Sequence, residues 1–106
     1  MDPEHDAYGQ LLRDHVDGEA GREILERDDG LVSVAPPAER YFAVREEWSP
    51  REQTAIERAE GRVLDVGCGA GRVALAPDTE VVGIDVSPGA LGVSRDRGGD
   101  ARELDV

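Results

Sequence analysis

Val63-Leu64-Asp65-Val66-Gly67-Cys68-Gly69-Ala70-Gly71-Arg72 carries two signals in ten residues. Its first four residues are a short, mostly apolar run, the pattern of a buried strand. The run passes directly into Gly67, Gly69 and Gly71, spaced two apart. Glycine weakens helices and strands because its backbone is so free, so this density marks a tight loop whose backbone must lie against something else. After nine intervening residues, 72–80, a second apolar run begins, Val81-Val82-Gly83-Ile84, and it ends in Asp85. Strand, glycine loop, short helix, strand and acid follow one another.

That order is the layout of a nucleotide-binding βαβ unit. A dinucleotide fingerprint, G-x-G-x-x-G, would put its third glycine where Arg72 stands. Here the third glycine falls one residue earlier, and an acid, Asp65, sits two residues before the first. The resulting D-x-G-x-G-x-G over Asp65 to Gly71 resembles the first motif of class I S-adenosylmethionine-dependent methyltransferases. Val82-Gly83-Ile84-Asp85-Val86-Ser87 resembles their second motif, and Asp105-Val106 resembles their third, weaker one. The resemblance covers Val63 to Val106, about two-fifths of the chain.

The resemblance implies an α/β chain, the N-terminal part of a Rossmann-like methyltransferase fold with parallel strands one to three. It also implies S-adenosyl-L-methionine as cofactor, held by Asp65, Gly67, Cys68, Gly69, Gly71, Asp85, Val86, Asp105 and Val106. Asp85, at the end of strand two, would accept hydrogen bonds from both ribose hydroxyls. Asp65 would help fix the glycine loop and the methionine ammonium. Gly67 and Gly69 let backbone approach the ligand, and free N–H groups near Gly71 suit the methionine carboxylate. Val86 would lie against the adenine. Asp100 and Asp105 compete for the adenine amino group. Ligands of open α/β sheets bind at the carboxyl ends of strands, which favours Asp105. Cys68, the only cysteine, reads as a small side chain tolerated in a tight loop.

Residues 1–60 read as a helical segment preceding a partial cofactor-binding domain over 61–106. Asp6 to Val16 places Tyr8, Leu11, Leu12, His15 and Val16 at helical spacing. A further helical turn or two is expected around Ile24 and Leu25, then a turn at Asp28-Asp29-Gly30. Leu31 to Val34 is too short to classify, and Ala38 to Val44 reads as a helix. Ser49-Pro50-Arg51-Glu52 is a capping box with proline in the first helical position, so a helix should run to about Glu60 and stop at Gly61. A short helix over Gly71 to Ala76 should be ended by Pro77. Ser87-Pro88 starts another, to about Arg97, and Ala101 to Leu104 should be strand three.

The chain has 106 residues, with 24 acids against 12 bases, every base is Arg, and the net charge is −12. This acidity disfavours a nucleic-acid partner, which needs a basic surface. Acid excess without Lys is expected of a protein adapted to a high-salt cytoplasm, where counterions screen self-repulsion; a high-GC coding bias also removes Lys. No apolar run approaches a membrane span and no leader pattern opens the chain, so a soluble cytoplasmic protein is expected. His5 and His15 have no partners at metal-ligand spacing, so no metal is expected. The chain is shorter than the seven-stranded fold it resembles, and reads as an N-terminal fragment or truncated gene product. Catalytic residues and methyl acceptor are unassigned, because acceptor-side residues would lie beyond Val106. Tyr8, Tyr41 and Trp48 read mainly as core or cap packing, with lining of an acceptor pocket as the alternative role. The competing readings are an NAD(P)-binding oxidoreductase fragment, since Asp85 also suits an NAD ribose, and a non-enzymatic relic or ligand-binding piece.

Overall fold

The computed structural model describes residues 1–76 and 78–106. Three parallel strands form the sheet, β3 (Val63–Val66), β4 (Val81–Asp85) and β5 (Asp100–Glu103), in that spatial order. Val63 pairs with Val81, and Asp85 with Glu103, so the carboxyl ends of all three strands lie together. Helix α3 (Pro88–Asp96) connects β4 to β5. It covers one face of the sheet, where Leu91 packs with Cys68 and Ala101. On the edge strand, Leu64 and Val66 remain 59% and 57% exposed.

The first sixty residues hold helix α1 (Ala7–Val16), strands β1 (Ile24–Glu26) and β2 (Val32–Val34), three short 3-10 segments (Pro3–His5, Ala38–Phe42 and Arg45–Glu47) and helix α2 (Pro50–Glu57). They are therefore not purely helical. Ile24 and Leu25 belong to an antiparallel hairpin, with Ile24 opposite Val34 and Glu26 opposite Val32. The Asp28-Asp29-Gly30 turn is present: Gly30 has φ +86° and Asp29 accepts the Leu31 amide. Branched Ile24, Val32 and Val34 favour the strand.

Helix α2 begins as its sequence dictates. Ser49 accepts the Glu52 amide while Glu52 accepts the Ser49 amide, the full capping box. It ends at Glu57, earlier than the glycine at 61 implies, and of its residues only Ile56 is buried. The expected helix at 71–76 is absent: the segment is a set of turns, with Leu75 donating to Gly71 and Ala76 to Val73. Gly71 sits at φ +86°, outside the helical region, and the few residues after it cannot offset the cost of nucleation. Pro77, the expected stop, lies outside the described residues. Strand three starts one residue earlier than expected, at Asp100.

Helix α1 packs directly on α3. The two backbones meet at Gly9 and Gly89, where a Cβ on Gly89 would lie 2.6 Å from the Gly9 Cα. One carboxylate joins both helix starts. Asp6 accepts the Gly9 amide of its own helix at 2.9 Å, and from the other helix the Gly89 amide at 2.8 Å and the Ser87 hydroxyl at 2.7 Å. Ser87 in turn accepts the Ala90 amide. Leu12, Ala70, Ala90 and Val93 form the core beneath, flanked by Tyr8, Tyr41 and Phe42. The N-terminal segment is thus packed into the same core as the sheet.

Candidate functional site

The glycine loop leaves β3 with Gly67, Gly69 and Gly71 all in the left-handed region, at φ +74°, +53° and +86°. The amides of Gly67 and Cys68 both donate to the Ile84 carbonyl, at 2.8 and 3.0 Å, which pins the loop to β4. The three glycines then face different surroundings. A Cβ at Gly69 would sit 2.6 Å from the Tyr8 hydroxyl, and one at Gly71 would sit 2.8 Å from Ser94 Oγ. A Cβ at Gly67 would meet nothing within 4 Å, so this backbone opens onto free space.

Cys68 turns the other way. Its side chain is buried against Gly83, where an added Cβ would come 2.8 Å from the sulfur. Burial, reinforced by Asp85 and Asp65, pushes its thiol up to about 11. It is a packing group, and only its backbone belongs to the loop surface.

Asp85, at the end of β4, ties the site together. Its Oδ2 accepts the Gly69 amide at 2.8 Å, and Oδ1 accepts the Val86 and Ser87 amides at 2.8 and 3.0 Å. A carboxylate offers about four acceptor positions. Three are used, so one remains on Oδ2. Loop fixation, expected of Asp65, is performed by Asp85. Asp65 is half-buried, and its buried Oδ2 has no hydrogen-bond partner among the described residues. Burial pushes its carboxyl upward, with Asp85 adding and Arg72 opposing. A buried acceptor left open calls for a cationic or donor ligand group.

Asp65 lines a cavity of about 190 Å³ with Tyr8, Tyr41, Arg72 and the loop backbone at 67–70. The volume is below that of a complete small-molecule site and suits one arm of a ligand. Arg72 borders it while held by Glu52 at 2.9 Å and stacked over the Trp48 ring at 4.9 Å. Tyr41 and Arg72 also border a larger, open cavity of about 740 Å³ beside Trp48. Trp48 itself is buried and donates from its indole nitrogen to the Ala43 carbonyl, a packing role.

At the far end of the sheet edge, Asp105 and Val106 follow β5 at the same end as the loop and are exposed. Asp100 starts β5 at the opposite end and pairs with Arg102 at 3.0 Å, which lowers its carboxyl. Val86 is partly buried beside Asp85. Sequence reasoning left Tyr8 and Tyr41 mainly to the core, yet both reach the loop. Their periodic placement gave no sign that α1 meets the sheet's ligand end. Among the described residues no group of three or more His, Cys, Asp or Glu is arranged for a metal, and no helix is long and apolar enough to cross a membrane.

Comparison with known proteins bears on this site. Residues 64–106 match the family model of a methyltransferase domain. A S-adenosylmethionine-dependent methyltransferase from Bacteroides fragilis, solved in complex with S-adenosyl-L-homocysteine, superimposes with a TM-score of 0.87 at 32% identity. The alignment covers 96% of this chain and 44% of that one, so the chain spans less than half the length of the protein it matches. A structure described under conversion of a disulfide bond into a thioacetal group during echinomycin biosynthesis matches 53% of this chain and 28% of its own, at 35% identity and a TM-score of 0.46. No curated protein sequence matches the chain.

Proposed function

We propose that the chain is the cofactor-binding part of a class I S-adenosylmethionine-dependent methyltransferase, a reading supported by the methyltransferase-domain match over residues 64–106 and by the likeness to a structure holding S-adenosyl-L-homocysteine; the methyl acceptor is unassigned. The observation that carries this reading is the open Asp65 Oδ2 beside the open space at Gly67. A buried carboxylate with no partner fits the ammonium of the cofactor's amino-acid arm, and a glycine with vacant space at its Cβ position fits close backbone approach. The cofactor, when bound, supplies an activated methyl group on sulfur.

The chain's own residues orient and enclose. Asp65 takes the ammonium, and Asp85 takes one ribose hydroxyl while keeping Gly69 in place. Gly67 and Gly69 let a ligand lie close to the loop backbone, but the amides of 67, 68, 69 and 71 already donate within the chain, so the free N–H groups expected near Gly71 are not available to the methionine carboxylate. Val86, Asp105 and Val106 border the adenine, with Asp105 preferred to the distant, Arg102-paired Asp100. Such transfer depends mainly on alignment of acceptor and sulfonium, so rigidity of this half matters more than any base within it. The NAD(P) alternative is disfavoured by Arg72, which stands where the dinucleotide fingerprint has its third glycine, and by Asp65 two residues before the loop. The acidic, Lys-free composition supports a further proposal, that the protein is soluble and works in a high-salt cytoplasm.

Two measurements test this. The 106-residue chain should bind S-adenosyl-L-homocysteine by calorimetry in molar KCl but not NAD, and should show no methyl transfer from radiolabelled cofactor. Tight NAD binding with none of S-adenosyl-L-homocysteine would reverse the assignment. Asp85→Ala should weaken cofactor binding about tenfold or more, because a hydrogen bond to a carboxylate contributes about 1.5–3 kcal/mol and the loop loses its Gly69 anchor as well. Equal affinity in wild type and variant would remove Asp85 from the ribose.

A further inference from the structure

The glycine-loop cavity has one wall that the nucleotide motif does not supply. Tyr8 comes from α1, sixty residues upstream, and its hydroxyl lies 2.6 Å from where any Gly69 side chain would begin. It is held there from two sides. Helix α1 is fastened to α3 through Asp6, two residues before Tyr8. Tyr41 meets the Tyr8 ring edge-on at a centroid distance of 5.2 Å, and Tyr41 is itself fixed by donating its hydroxyl to Glu23 at 3.1 Å.

Polar groups in this cavity are unequally occupied. Arg72 is already paired with Glu52. Asp65 has an open acceptor. The Tyr8 hydroxyl has no hydrogen-bond partner among the described residues, although most of its ring is covered. An open acceptor and an open donor thus line one cavity of about 190 Å³. A ligand group that satisfies both carries a cation and an anion close together. An α-amino acid does so.

We propose that Tyr8 is a cofactor-positioning residue whose hydroxyl donates to the α-carboxylate of the cofactor's amino-acid arm, opposite the Asp65–ammonium contact. This rests on the cofactor reading above and extends it to a residue of the N-terminal segment. Burial, with Tyr41, Asp85, Glu23 and Cys68 adding, drives the Tyr8 phenol further from ionisation, so it remains a donor throughout the physiological range. The consequence is selectivity: the site discriminates for ligands that retain the amino-acid arm. A thioether nucleoside without that arm loses both the Tyr8 and the Asp65 contact.

The test is calorimetric, on the whole 106-residue chain in molar KCl, with S-adenosyl-L-homocysteine and 5′-methylthioadenosine as probes. Tyr8→Phe removes only the hydroxyl, and circular dichroism checks that the fold is kept. Its affinity for S-adenosyl-L-homocysteine should fall about tenfold, the effect of one hydrogen bond to a charged group, while 5′-methylthioadenosine binds as before. Unchanged affinity for S-adenosyl-L-homocysteine overturns the proposal. An equal loss for both probes also overturns it, because the hydroxyl would then act on the shape of the site and not on the carboxylate. If the unaltered chain binds neither probe, the cofactor reading itself fails.

Discussion

Asp6→Ala should cost the fold about 3 kcal/mol or more, a large part of the roughly 5–15 kcal/mol that holds an ordinary domain together. An N-cap alone contributes about 1 kcal/mol. Asp6 is more than an N-cap, since it also receives the Gly89 amide and the Ser87 hydroxyl at the start of a second helix. Hydrogen bonds to a charged group contribute about 1.5–3 kcal/mol each, and alanine leaves these donors buried without a partner. Two helix N-termini, each a partial positive charge, also lose the anion between them.

The same residue sets a pH dependence whose sign is defined. Burial raises the Asp6 carboxyl, but donors from Gly89, Ser87 and Gly9, with Arg13 nearby, outweigh it and hold the carboxyl below its ordinary value. Folded Asp6 therefore binds its proton less tightly than unfolded Asp6. Its contribution is complete above the unfolded value, about 3.9, and is lost as pH falls through the folded one. Asp65 runs the other way. Its carboxyl is raised, so its contribution is present in acid and lost as pH rises through the folded value. Asp6→Asn should flatten the acid limb of stability, leaving the surface pairs at Glu52 and Asp100 as the remaining source of that slope. Urea midpoints for wild type and Asp6→Asn between pH 3 and pH 7 would measure it. Parallel curves would show that Asp6 does not couple the helices.

What could be read from sequence was local. The three glycines, the Ser49–Glu52 box and the Ser87-Pro88 start are each specified within a few residues, and each takes the expected form. The hairpin at Ile24–Val34 was missed because each strand has only three residues, too few to show a period. The helix expected after Gly71 was overridden by the loop's own positive φ. Asp6 with Ser87, and Tyr8 with Gly69, meet across eighty-one and about sixty residues, and no local pattern encodes such pairs. The one local hint was glycine: Gly9 lies in the first turn of α1, where glycine is less favourable than alanine, and that cost is the mark of the close approach to Gly89.

Salt should change this chain more than any substitution. Its net charge of −12 is spread over 106 residues, and the ion pairs among the described residues are mostly exposed, as at Arg27–Asp29 and Arg62–Glu80. Exposed pairs contribute about 0–1 kcal/mol each, too little to offset a twofold excess of acids. The core is also small: Leu64 and Val66 on the edge strand remain exposed, so little stability is held in reserve. At about 0.01 M salt the Debye length is about 30 Å, comparable with the molecule, and every acid repels every other. It falls to about 10 Å at 0.1 M and about 3 Å at 1 M, where only near neighbours interact. The chain should therefore be largely unfolded or aggregated in dilute buffer and gain its helices and sheet as KCl is raised, which far-ultraviolet circular dichroism would follow. Screening predicts that much of the gain comes by a few tenths molar, because the Debye length shortens fastest there. A gain confined to several molar would reflect strengthened apolar burial instead. A spectrum fully folded at about 0.01 M and unchanged into the molar range would remove the high-salt explanation of this composition and leave the absence of Lys to coding bias.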